Sequence, residues 1–262
     1  MEANRHEIKT VTHQVKLRKL TVKQVSEVSA SLKRITLAGE DLEGFQSLSP
    51  DDHVKVFFPC PGETEAIVPT FGPNGPAVPE GSRKPIMRDY TPLRFDPEKM
   101  ELDLEFFIHG EGPAAHWAAQ ASVGQNLMVG GPRGSKIVPY DFDWYLMIGD
   151  EASIPSFKRR LAELPSNSLS VVLIEVEDEK HEVELHGSGT HEIHWIHRNG
   201  RPAGDPQALK EALSQITFAE GDCFTWIATE RAAAMFLRDY LVQERSLNTE
   251  WIKATGYWIK ES

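Results

Sequence analysis

Cysteine is scarce in this chain: Cys60 and Cys223 are the only two in 262 residues. They cannot supply the four thiolates of an iron–sulfur cluster, and two distant thiols make no disulfide framework, so they read as buried, inert side chains. Long apolar runs are missing as well. Met1 to Thr12 carries Glu2, Arg5, His6, Glu7 and Lys9, so the expectation is a chain with neither signal peptide nor membrane insertion, working in the cytoplasm. Positive charge is in deficit, with 28 Lys and Arg against 39 Asp and Glu and a net charge of −11. Nucleic-acid binding draws its affinity from clustered cations, so that class of partner is excluded and any basic patch has to be local. No P-loop, no Ser-His-Asp signature and no Gly-x-Gly-x-x-Gly fingerprint is present, which removes the direct textual evidence for nucleotide binding or triad hydrolysis.

What is present is a chain that is 40% hydrophobic and long enough for two domains of ordinary size. The first half alternates with period two. Val15, Leu17, Leu20, Val22 and Val25, then Leu32, Ile35 and Leu37, suggest two strands joined near Ser29 to Ser31. His53 to Phe58 alternates again, with Val54, Val56 and Phe58 inward and Lys55 outward, until Pro59 stops it. Gly62 to Pro85, rich in Gly and Pro, reads as a long surface excursion that is either a binding lid or a variable insertion.

The stretch from Met87 to Ser135 carries the chemistry. Arg88, Tyr90 and Thr91 lie on a strand ended by Pro92, and alternation puts Arg88 and Tyr90 on one side. A guanidinium fork matches phosphate oxygens, and an aromatic face suits a flat ring. From Met100 to Ile108 the apolar residues fall on one face and Glu101, Asp103 and Glu105 on the other, as in a half-buried strand. Gly112 then breaks the strand, and Pro113 suits the first position of a short helix whose free amides, around Ala114 to His116, can face an anion such as a dinucleotide pyrophosphate. Trp117, with Ala114, Ala118 and Ala121, makes a small apolar face that caps the barrel. Gly131-Pro132-Arg133-Gly134-Ser135 is a tight turn that projects Arg133, as a ligand contact or as a plain exposed side chain.

The second half changes character. Trp144 to Ile148 is a continuous apolar run, as a buried parallel strand requires, and Gly149-Asp150-Glu151 leads into a helix. Further apolar runs at Leu169 to Val176, Ile193 to Ile196 and Phe224 to Ala228 alternate with helices expected at Pro206 to Leu213 and Glu230 to Gln243. That pattern is an open parallel sheet covered on both faces, whose ligands sit beyond the carboxyl ends of the strands, here Gly149 to Ser153 and Thr229 to Arg231. His181, His186, His191, His194 and His197 are too scattered over strand faces and acidic loops for a ligand set, so no metal site is assigned.

Taken together, Arg88-Asp89-Tyr90-Thr91, the run His109 to Ala118, Gly131 to Ser135, Gly149-Asp150-Glu151 and Gly256-Tyr257-Trp258 resemble the siderophore-interacting proteins, flavin-dependent ferric-siderophore reductases of the ferredoxin-reductase-like superfamily. The motifs follow in family order from about Val15 to the C-terminus. The chain departs from the family where Ala115 replaces a hydroxyl residue, where His116 replaces a frequent Arg, and where the Tyr-Trp-Arg ending reads Tyr257-Trp258-Ile259-Lys260. Ala228-Thr229-Glu230-Arg231 stands where the family has Ala-Gly-Glu, and the superfamily's Cys-Gly-x-x-Pro motif is missing.

The resemblance implies an antiparallel FAD-binding β-barrel with a capping helix over residues 1–140, followed by an open parallel α/β domain of the NAD(P)H-binding type over 141–262. It implies FAD held by Arg88, Tyr90, Thr91, Phe107, Ile108, His109, Gly112, Pro113, Ala114, Ala115 and Trp117. NADH or NADPH would meet Asp150, Glu151, Thr229, Glu230, Arg231, Tyr257 and Trp258, and an anionic ferric siderophore would meet a basic cluster of Lys55, Arg133 and Lys260. The implied activity is reduction of siderophore-bound Fe(III) by a monomer, with electrons from NAD(P)H or ferredoxin and no catalytic acid or base. The alternatives are a flavin reductase or ferredoxin-NADP reductase-like enzyme with another acceptor, and a ferredoxin-fed electron carrier.

Overall fold

The structure, a computed structural model, describes residues 5–72, 75–78, 81, 83–110 and 112–260. The chain forms two compact units, Lys9–Ile137 and Val138–Ser262, the latter joined by the start of the chain up to Ile8. The sequence boundary assigned that start to the first domain. His6 is what moves it: its ring stacks on Phe142 at 3.8 Å, and its two nitrogens lie 2.8 Å from Asp141 and 3.0 Å from Asp222.

In the first unit β1 (Lys9–Thr12), β2 (Leu17–Glu27), β3 (Leu32–Ala38), β4 (Val54–Phe58), β5 (Thr70–Gly72), β6 (Gly75–Ala77), β7 (Ile86–Tyr90), β8 (Arg94–Asp96) and β9 (Glu101–Phe107) precede α1 (Pro113–Ala119), and β10 (Asn126–Gly130) and β11 (Gly134–Ile137) follow it. Seven strands form one antiparallel sheet in the order β7-β4-β10-β2-β3-β9-β8. The sheet curls into a half-barrel whose ladder does not close, so β7 remains an edge strand. Its concave face is a core of Leu20, Val22, Ile35, Leu37, Val54, Val56, Phe58, Leu102, Leu104, Phe106, Leu127 and Val129, the alternating positions of these strands. α1 caps that core through Trp117 and Ala118. The excursion from Gly62 to Pro85 contains the short β5–β6 hairpin, while residues 73, 74, 79, 80 and 82 lie outside the described residues.

One expectation needs correction. Glu101, Asp103 and Glu105 were expected on a solvated face, yet all three are buried. Cations from neighbouring strands cover them: Arg94 reaches Asp103 at 2.7 Å and Glu101 at 3.1 Å, Arg34 reaches Glu105 at 2.7 Å, and Lys23 pairs with Glu101. Thr36 also donates to Asp103 at 2.7 Å. A carboxylate row can be covered in this way because each member gains a charged partner, which offsets its loss of water.

The second unit contains β12 (Trp144–Asp150), α2 (Ile154–Glu163), β13 (Leu169–Val176), β14 (Thr190–His197), α3 (Gln207–Gln215), β15 (Cys223–Glu230), α4 (Arg231–Gln243) and β16 (Ile252–Trp258). The five strands are parallel in the order β14-β13-β12-β15-β16. Every residue of β12 is buried, which is why that run lacks alternation. α2 ends at Leu164, since Pro165 drives the residue before it out of the helical region. Both cysteines are free and buried, and burial pushes the Cys223 thiol up to about 12. No helix among the described residues is long and apolar enough to cross a membrane.

Candidate functional site

Edge strand β7 builds the first half of the site. Its register with β4 sets Tyr90 against Val54 and Arg88 against Val56, so both side chains lie on the face that those inward valines occupy. Tyr90 packs on Phe106, ring centroids 4.3 Å apart, and burial pushes its hydroxyl above the ordinary tyrosine range. Arg88 stays exposed and donates only to the neighbouring Met87 carbonyl, at 2.9 Å. Among the described residues its guanidinium has no carboxylate partner. Thr91 follows, half-buried, at the strand end.

α1 supplies the second half. Gly112 is extended, with φ −64° and ψ 148°, and Pro113 starts the helix with no side-chain cap. The His116 amide bonds the Gly112 carbonyl at 2.9 Å, and among the described residues the amides of Ala114 and Ala115 before it have no acceptor. A Cβ built on Gly112 would meet nothing within 4 Å, which leaves room for the group those amides address. Glu111 of the quoted motif lies outside the described residues. Phe107 stacks on the exposed His109 at 4.9 Å, and the Ile108 amide bonds Ser31 at 2.6 Å. Trp117 packs into the core: it is 8% exposed and lies 5.9 Å from Phe58 and 5.7 Å from Phe106. A guanidinium without a carboxylate partner and two amides without an acceptor among the described residues, beside a half-buried tyrosine ring, form a donor set that fits FAD, a phosphate-bearing ligand with a flat ring system.

Of the three basic candidates, Arg133 is exposed and has no carboxylate partner among the described residues. Lys55 is not the lone displayed charge that alternation suggested: it pairs with Asp89 across β4 and β7 at 2.6 Å. Lys260 belongs to the second unit, where its amide bonds Glu230 at 3.3 Å and its Nζ lies 3.5 Å from the Ala203 carbonyl.

At the carboxyl ends of β12 and β15 the predicted ligand residues instead bond to one another. Asp150 accepts from Thr229 and from the Trp258 indole, both at 2.7 Å, and from the Ala152 amide at 3.0 Å. Glu230 caps α4 by accepting from the Ala232 and Ala233 amides at 2.6 and 3.0 Å. The Tyr257 hydroxyl donates to Ser156 at 3.2 Å. These bonds tie the carboxyl ends of β12, β15 and β16 together, whereas Arg231, first residue of α4, is exposed.

Glu151 is held by Arg198, a residue that sequence reasoning missed because nothing local links it to β12. The same buried guanidinium lies 3.3 Å from Glu175 and 3.4 Å from Glu177. Burial pushes Asp150 up to about 6 and Glu175 up to about 7, the latter in spite of the Arg198 guanidinium beside it, which pulls the other way. For such raised carboxylates the stability they contribute is fully present below their unfolded values, about 4, and is lost as the pH climbs through the folded ones. Glu175→Gln should therefore flatten the fall of the melting midpoint between about pH 5 and about pH 8, because it removes one ionising group. A slope equal to that of the wild type would show that Glu175 ionises freely. The five histidines of the sequence pattern pair singly: His181 with Asp178, His186 with Glu184, His194 with Glu192, His197 with Glu182, and His191 with Ser170.

Comparison with known proteins places this geometry. Residues 21–136 match the siderophore-interacting FAD-binding domain, and residues 142–261 match the siderophore-interacting protein domain that follows it. The NADPH-dependent ferric-chelate reductase of Escherichia coli is 37% identical over 251 residues, 95% of each chain. This chain belongs to the siderophore-interacting protein family. The ferric vibriobactin reductase of Vibrio cholerae is 31% identical over 88% of this chain and 85% of its own length. The crystal structure of a siderophore utilization protein from T. fusca superposes with a TM-score of 0.90 at 34% identity, covering 98% of this family member and 97% of that chain. The first unit is accordingly an FAD-binding half-barrel, and the second the parallel α/β unit that follows it in an FAD-dependent oxidoreductase.

Proposed function

We propose that the protein reduces ferric iron held in a siderophore, drawing electrons from a reduced nicotinamide, with NADPH the favoured donor, and so frees the iron as Fe(II) in the cytoplasm. The observation that carries this reading is the pairing of the free Arg88 guanidinium with the uncapped start of α1, in a domain whose family binds FAD. Two relatives that match nearly end to end are ferric-chelate reductases by name, which supports the acceptor.

FAD, when bound, supplies the chemistry of taking a hydride and passing electrons on singly. The chain's own residues do the rest. Arg88 and the amides of Ala114 and Ala115 neutralise and orient the pyrophosphate, and Tyr90 offers its ring, backed by Phe106, as a packing surface. Arg133 and Lys55 attract the anionic chelate, Arg133 more strongly because no carboxylate among the described residues offsets it. No proton transfer to iron is needed, so the buried acids of the second unit serve architecture. The test is an anaerobic assay of the purified protein with NADPH, a ferric chelate and a ferrous-ion trap. Activity lost on removal of FAD and restored on its return is expected; turnover that is indifferent to FAD would overturn the reading.

A further inference from the structure

Three residues far apart in sequence meet beside the turn that carries Arg133. His13 Nε2 lies 2.7 Å from Ser135 Oγ, and Ser135 Oγ donates to Asp52 Oδ2 at 2.7 Å. All three are buried, at 9%, 2% and 3% exposure. The direction of the chain of bonds follows from the groups: an ionised carboxylate only accepts, so the Ser135 hydroxyl gives its hydrogen to Asp52 and receives one from His13 Nε2. His13 Nδ1 is left buried, without a partner among the described residues. Asp52 Oδ2 also accepts from Ser47 Oγ and from the Leu48 and Ser49 amides, at 2.9, 2.8 and 3.1 Å.

These bonds converge on the two basic carriers of the first unit. Asp52 stands two residues before β4, the strand of Lys55, and Ser135 stands two residues after Arg133. The turn is held at further points. The His13 amide bonds the Arg133 carbonyl at 2.9 Å, buried Arg18 donates to the Gly131 carbonyl at 2.8 Å, and the Gly131 amide bonds Lys16 at 3.2 Å. A Cβ on Gly134 would come within 2.7 Å of the Val11 carbonyl, so β1 is seated hard against the turn. An exposed arginine on a free turn would spend most of its time away from any one position. Here the backbone on both sides of it is fixed, and only the side chain is left to move.

We propose that His13, through Ser135 and Asp52, is a positioning residue for substrate capture: it holds the Gly131–Ser135 turn so that Arg133 meets the ferric chelate. The proposal rests on Arg133 being a substrate contact. It predicts a charge-selective defect, since a misplaced Arg133 loses attraction for an anion and little else.

The experiment compares His13→Ala, His13→Gln, Ser135→Ala, Arg133→Ala and the His13→Ala/Arg133→Ala double variant. The two probes are a trianionic ferric tris-catecholate and a neutral ferric tris-hydroxamate. His13→Ala and Ser135→Ala should each raise KM for the tris-catecholate about 3- to 10-fold, with kcat, FAD content and the neutral chelate unchanged. His13→Gln, which keeps a donor toward Ser135, should recover part of the loss. The double variant should be no worse than Arg133→Ala alone, because both changes remove the same interaction. If Arg133→Ala is selective for the anion but His13→Ala and Ser135→Ala are not, or if the double variant shows additive losses, the positioning role is wrong and the substrate reading stands. If Arg133→Ala itself does not discriminate between the chelates, the substrate reading falls and the proposal falls with it. Loss of FAD or of folded protein in both Ser135→Ala and His13→Gln would assign the chain of bonds to general stability and overturn the proposal.

Discussion

Arg88→Ala is expected to purify with little or no flavin while keeping its fold. The residue is exposed on an edge strand and, among the described residues, donates only to its neighbour's carbonyl, so the apo structure loses almost nothing by its removal. The bound state loses far more. Each charge-assisted hydrogen bond to a phosphate is worth about 1.5–3 kcal/mol, and a fork can make two, so FAD retention should weaken by roughly 100-fold or more. The flavin-to-protein absorbance ratio after dialysis, with far-ultraviolet circular dichroism as the fold control, measures both quantities. Full occupancy after dialysis would show that Arg88 does not carry the pyrophosphate. Arg88→Lys should fall between the two, because a point charge replaces a fork.

The second large effect concerns Arg133. Its charge is offset by no carboxylate among the described residues, whereas Lys55 shares its charge with Asp89 at 2.6 Å. Arg133→Ala should therefore raise KM for a trianionic ferric chelate by about tenfold, and Lys55→Ala by only a few-fold, with FAD content intact in both. Added salt should mimic these substitutions, since exposed charges are screened beyond roughly 8–10 Å at ordinary ionic strength. Rate measurements against salt with anionic and neutral chelates make the comparison. Equal losses for both chelates would mean a flavin or folding defect, and an effect at Lys55 larger than at Arg133 would mean that Asp89 does not hold the lysine.

Local patterns made much of this fold legible. Period-two alternation in Leu17–Glu27, Leu32–Ala38 and Glu101–Phe107 marks strands because one face packs on a core and the other does not. The unbroken apolar run of Trp144–Asp150 marks a strand covered on both faces. Where covering came from distant cations, as over Glu101, Asp103 and Glu105, composition pointed outward and the structure points inward. β16 was read only as a C-terminal motif, since Lys253 and Gly256 interrupt its apolar pattern, and its place beside β15 is set by parallel pairing across a helix.

The same division holds at the site. Arg88, Tyr90, Gly112 and Pro113 were readable because edge-strand alternation and a helix-opening proline are short-range signals. Asp150 and Thr229 were legible at the carboxyl ends of one parallel sheet, but their bonding to each other and to Trp258 was not, because it joins β12, β15 and β16 across many residues. The His13–Ser135–Asp52 chain and the Arg198 cluster carry no sequence signal: each depends on strand order alone.

The central claim, that electrons pass from a nicotinamide through bound FAD to chelated iron, is tested most directly by anaerobic stoichiometry. NADPH oxidation and trapped Fe(II) are followed together in the FAD-loaded protein with a ferric tris-catecholate as the acceptor. The account predicts about two ferrous ions for each NADPH consumed, since a hydride carries two electrons and ferric iron takes one. NADPH oxidation without matching Fe(II), or Fe(II) appearing at the same rate in protein stripped of FAD, would contradict it.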